Sequence, residues 1–139
     1  MGAIQFGSID VLVDTFHNYG GTDIPAGVGV LADTSNPPSG DNAGGIVIPT
    51  ASGGVVGTLG VTVENIKAGK TGRVRLQGVS VCTANGSITY GTAVQISDTA
   101  SHLGEVKTCG AGITQLGVAL NEVSAGELVR VFHSVARNA

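Results

Sequence analysis

The sequence predicts an all-β protein, and three observations carry that expectation. The first is an internal duplication. The stretch from Leu59 to Val74 aligns without a gap on the stretch from Leu116 to Val131, with Leu-Gly-Val at the start, Ala-Gly near the middle and Arg-Val at the end identical in both. Val63/Leu120 and Ile66/Val123 keep an apolar side chain at matched places. The second is the spacing inside the repeat: Leu59, Val61 and Val63, and again Leu116, Val118 and Leu120, recur with the period of two that marks a strand with one buried face. The third is composition, with 23 glycines, many Val, Ile and Thr, and only 12% charged residues, which favours turns and short strands over long helices. Each copy reads as a β-hairpin whose Ala-Gly supplies a residue free to take positive φ at the reversal.

Taken in order, residues 1–21 form an opening segment. Ile4, Phe6, Ile9 and Val11-Leu12-Val13 are followed by Phe16, His17 and Tyr19, and Gly20-Gly21 ends it. It precedes the repeats and is expected as an N-terminal arm or an added strand, with residues 22–139 as the β domain and the duplication spanning about 24–76 and 88–132. Residues 24–34 resemble residues 88–99 if one residue is inserted in the second copy. In both, a glycine precedes a short apolar strand and Asp-Thr follows it, so Asp33 and Asp98 are expected to form turns through local hydrogen bonds. Residues 35–45, with Pro37-Pro38, read as a loop that the second copy shortens to residues 100–104. Ile46-Val47-Ile48 is strand-like, Ser52-Gly53-Gly54 is a turn, and Asn85-Gly86 between two apolar runs signals a tight hairpin.

At 139 residues the chain is of single-domain size. A net charge of −3 with seven scattered basic residues argues against nucleic acid, which selects a clear basic excess with aromatic stacking platforms. Four of the seven do fall between Lys67 and Arg75. No apolar run reaches the roughly 18 residues of a membrane span, and no signal-peptide pattern opens the sequence, so no membrane partner is expected. Cys82 and Cys109 lack the spacing of a disulfide framework or a metal site and are expected as buried free thiols. His17, His102 and His133 show no metal spacing and stand near no nucleophile motif. No catalytic, cofactor-binding or metal-ligating residue is therefore assigned, and no enzyme is expected.

Two copies of a Gly-bounded strand and an Asp-Thr turn, then Leu-Gly-Val and Ala-Gly ahead of an Arg-Val strand, resemble the small capsid decoration, or cement, proteins of tailed bacteriophages. The resemblance runs from about Ile24 to Phe132 and leaves out the opening segment and the Pro-Pro loop. It implies a compact small β-barrel or β-sandwich, commonly a homotrimer, bound to the major capsid protein on the outer surface of the virion, where it stabilises contacts between capsomers. The alternative is a carbohydrate- or receptor-binding β module. Because the opening segment gathers apolar side chains outside the duplicated core, Ile4, Phe6, Ile9, Phe16 and Tyr19 are expected to bind a neighbouring subunit or the capsid, and a chain starting at Thr22 is expected to fold without them.

Overall fold

A computed structural model, which describes residues 11–133, shows why the identities of the duplicated hairpin recur. Among the described residues, nine strands and no helix make up the fold: β1 (Leu12–His17), β2 (Gly29–Asp33), β3 (Gly45–Val47), β4 (Thr58–Thr62), β5 (Thr71–Thr83), β6 (Ala93–Ile96), β7 (Val106–Thr108), β8 (Gly117–Ala119) and β9 (Leu128–His133). The repeat is β4 turning into β5 and β8 turning into β9. Val61 pairs with Arg75 and Thr62 with Val74 in the first copy, as Val118 pairs with Phe132 and Ala119 with Val131 in the second. Gly69 and Gly126 hold φ of 75° and 85° at the reversals, a region open to glycine at no steric cost. Where the copies exchange an acid for an amide, both side chains do the same work. Glu64 Oε2 accepts the Arg73 backbone N–H at 2.8 Å, and Asn121 Oδ1 accepts that of Arg130 at 2.8 Å.

The pairing shows a larger repeat than the hairpin. Ile24 bridges Ile66 and Ile88 bridges Val123. Gly29 and Val30 then pair with Val61 and Gly60, as Ala93 and Val94 pair with Val118 and Gly117. No inserted residue is needed, so the counterpart of Asp33 is Ser97. Asp33 Oδ1 accepts the Ser35 N–H and Ser97 Oγ accepts the Thr99 N–H, both at 3.1 Å. Asp98 is used differently: it accepts the Gly54 N–H at 2.9 Å and lies 3.5 Å from Lys107 Nζ. The opening strand has a counterpart too. Thr15 and Phe16 face Arg73 and Gly72, while Val81 and Cys82 face Arg130 and Val129, so β1 stands to β5 as the second half of β5 stands to β9.

The result is two units that share one strand. Unit one is β1 to β4 with the first half of β5, and unit two is the second half of β5 with β6 to β9. All strands lie in one mixed sheet in the order β1-β3-β2-β4-β5-β9-β8-β6-β7, with a further β1–β5 pairing. The class is all-β as expected, but the architecture is neither a clean barrel nor a pair of separate stacked sheets. The thirteen residues of β5 run through both halves and make the sheet continuous. Each unit nevertheless curls around a core. Ile24, Val30, Ile46, Ile66 and Val74 fill the first. The second holds Val94, Ile96, Val106, Leu116, Val129 and Val131 of unit two together with Leu31, Val55 and Val61 of unit one. The Asn85-Gly86 hairpin does not form. Asn85 donates its backbone N–H to Val106 and its side chain to Ser97 Oγ, and Ile88 pairs with Val123, so the chain does not fold back on itself there.

Candidate docking surface

Buried polar side chains make hydrogen bonds inside the fold. His133 is fully buried and its Nε2 lies 2.8 Å from Ser80 Oγ, which also accepts a 3.2 Å hydrogen bond from Arg75. This serine–histidine contact escapes sequence reading because the two residues are far apart in the chain and meet only across β5 and β9. Ser80 is 2% exposed and His133 is fully buried, so the pair lies away from solvent. His102 pairs instead with Glu105 at 3.0 Å on the surface. Among the described residues no group of three or more His, Cys, Asp or Glu could hold a metal ion. Cys82 is buried and burial pushes its thiol up to about 12. Cys109, expected to be buried, is half-exposed beyond β7. No helix among the described residues is long and apolar enough to cross a membrane.

The surface features are apolar. Beside β1 lies an open groove of about 790 Å³, lined by Asp14, Thr15 and Phe16, by Ala32 and Leu59, and by the loop carrying Pro37-Pro38. It exists because β1 and β3 meet only at His17 and Gly45 and diverge from there. Tyr19 helps to fix the loop: its hydroxyl donates to the Ala43 carbonyl at 3.4 Å, and its ring lies 4.2 Å from that of His17. A second feature is the outer face of the β5–β9 ribbon, where Val79, Val81, Leu128 and Phe132 are exposed around Arg130.

Of the five residues expected to bind a partner, Ile4, Phe6 and Ile9 lie outside the described residues. Phe16 is half-buried against the first core and also lines the groove. Tyr19 is 43% exposed. Sequence reasoning missed the groove, because its floor is assembled from β1, β2, β4 and a loop that only the fold brings together. A sugar-binding module would need exposed aromatic side chains near one another, and exposed Tyr19 and Tyr90 lie in different units.

The described residues thus form an all-β fold with two apolar cores and with exposed apolar side chains on β1 and on the β5–β9 ribbon. The chain belongs to the phage cement protein family, whose family model matches residues 10–133. Among solved structures it resembles the crystal structure of the head fiber gp8.5 N base of bacteriophage phi29, with a TM-score of 0.58 at 16% identity over 92% of this chain and 99% of that one. At that identity the likeness is one of fold. No curated protein matches the chain.

Proposed function

We propose that this protein binds the outer surface of a bacteriophage capsid as a homo-oligomer, commonly a trimer in the family it resembles, and stabilises contacts between capsomers of the major capsid protein. Membership of the phage cement protein family over residues 10–133 carries the reading. Two properties of the molecule support it: exposed apolar side chains on β1 and on the β5–β9 ribbon, and polar groups used for internal bonds. Ile4, Phe6 and Ile9, with Phe16 and Tyr19, are proposed as partner contacts that add apolar anchors to a neighbouring subunit or the capsid.

The test is cosedimentation with undecorated heads of its own phage, followed by heating of decorated and bare heads. The full chain is expected to pellet with the heads and raise the temperature at which they rupture. A variant lacking residues 1–10 is expected to melt as the full chain does and bind heads less tightly. The longer truncation to Thr22 removes β1 and Asn18, whose side chain donates to the carbonyls of Thr22 and Ile66, so it is expected to lose stability, contrary to the expectation from sequence. A folded full-length chain that leaves the heads bare and their rupture temperature unchanged overturns the proposal.

A further inference from the structure

The two units are covered unequally, and the differences fall into two matched sets. In unit two, the space corresponding to the groove of unit one is occupied by residues 26–29 of unit one. The Gly29 N–H donates to the Gly104 carbonyl at 2.8 Å. Gly29 lies so close to Ile96 that a methyl group there would overlap its side chain, and Gly27 lies against the Val81 carbonyl. Gly104 lies close against Val28.

By the pairing registers, the receiving residues Val81, Ile96 and Gly104 correspond to Thr15, Ala32 and Gly44, and Leu116 of the same core as Ile96 corresponds to Leu59. Those four residues of unit one all line its open groove. Ile96, Gly104 and Leu116 are buried, whereas Ala32, Gly44 and Leu59 are only half-buried. The inserting side shows the reverse. Gly29 and Val61 are buried in unit one, while their counterparts Ala93 and Val118 are half-exposed, and Gly91 is exposed where Gly27 is half-buried. Each chain therefore satisfies one copy of this contact internally, and leaves one receiving surface and one inserting surface open.

We propose that the groove of unit one receives residues 90–93 of a second copy of this chain, as unit two receives residues 26–29 within one chain. The side chains at the contact are adjusted for it. Gly29 meets a large Ile96, whereas Ala93 would meet a small Ala32, so the methyl group gained on one side is matched by the bulk lost on the other. Over Gly44 the place that Val28 takes at Gly104 is held by Pro38 of the same chain, so Thr92 would lie beside that ring. Such a contact is head-to-tail: it joins two different surfaces, and repetition around a rotation axis closes a ring with every groove filled. This inference rests on the self-association in the function proposed above and names its surfaces.

The test uses full-length variants, with mass by analytical ultracentrifugation and melting temperature measured on the same samples. Thr92→Arg on the inserting side and Ala32→Ile on the receiving side are each expected to raise the dissociation constant by about tenfold or more, with Tyr90→Asp as a second inserting-side variant should Thr92→Arg unfold. A mixture of Thr92→Arg and Ala32→Ile is expected to form one-to-one dimers, because the intact groove of the first can take the intact segment of the second. Adding Ala93→Gly to Ala32→Ile is expected to restore association by recreating the pair found at Gly29 and Ile96. An oligomeric wild type whose mass none of these substitutions alters, a mixture that stays monomeric, or a failed rescue overturns the inference and leaves self-association standing. A wild type that is monomeric at tens of micromolar overturns both, while head binding, assayed separately, reports on capsid decoration.

Discussion

Gly60 and Gly117, the glycines of the duplicated Leu-Gly-Val, are the sharpest test of how the repeat is held together. A Cβ on Gly60 would collide with the Arg75 carbonyl oxygen, and one on Gly117 with the Phe132 carbonyl oxygen. Both obstacles are backbone of the facing strand, so relief requires separating β4 from β5 or β8 from β9. An alanine normally stabilises a permissive glycine position by about 0.4–1 kcal/mol, through the unfolded chain. Forcing a methyl group into a packed contact costs about 1–3 kcal/mol, leaving each of Gly60→Ala and Gly117→Ala destabilised by roughly 1–2 kcal/mol. For a chain of this length that is a melting temperature lower by about 3–10 °C, measurable by circular dichroism or calorimetry. Gly21→Ala is the control, since nothing lies within 4 Å of a Cβ there, and it is expected to melt at or above the wild-type temperature. Melting of Gly60→Ala and Gly117→Ala within a degree of wild type would refute the close-approach explanation of the conserved pair of identities.

Two further outcomes follow from ionisable groups. Hydrogen bonds from the Arg73 side chain and backbone N–H hold Glu64 below the usual carboxylate value of 4.5, so its stabilisation is complete above about pH 4.5 and is lost as pH falls through the lower folded value. Glu64→Gln keeps an acceptor for the Arg73 N–H, as Asn121 does for Arg130, and chemical denaturation between pH 3 and 6 is expected to show a shallower acid loss than wild type; an identical slope would count against the assignment. Cys82, with its thiol pushed up to about 12 by burial, is expected to react with a thiol reagent only after unfolding, whereas half-exposed Cys109 reacts in the native protein. Two equally fast thiols, or a disulfide seen by mass, would contradict this.

The hairpins were legible in the sequence because their requirements are local. A reversal through positive φ needs glycine, and a backbone oxygen pressed against β4 or β8 excludes a side chain, so both demands leave identical residues in both copies. The larger repeat was not legible. Thr15-Phe16 and Val81-Cys82 occupy equivalent places yet share no residue type, and β5 hides the boundary by ending one unit and beginning the next without a turn. Asn85-Gly86 misled for the opposite reason. Its local preference for a hairpin is real, but pairing of Ile88 with Val123 and of Ala84 with Val106 decides where the chain goes.

Period-two spacing also predicted matched burial for the two copies, and here the departure is informative. Leu116 is fully buried while Leu59 is half-exposed, and Val61 is buried while Val118 is half-exposed. Spacing along one strand specifies which face a side chain takes, but the cover over that face comes from another part of the fold. Unit one lies over unit two, so Leu116 gains a roof and Val61 a floor. Leu59 packs against the first core but is only half-buried, and Val118 is half-exposed. Burying an apolar side chain contributes about 1.5–3 kcal/mol, and a duplicated chain that realises this contact only once keeps that stabilisation available on both of its free surfaces. The same asymmetry that spoils the simple sequence rule is what the proposed contact between two copies of the chain builds on.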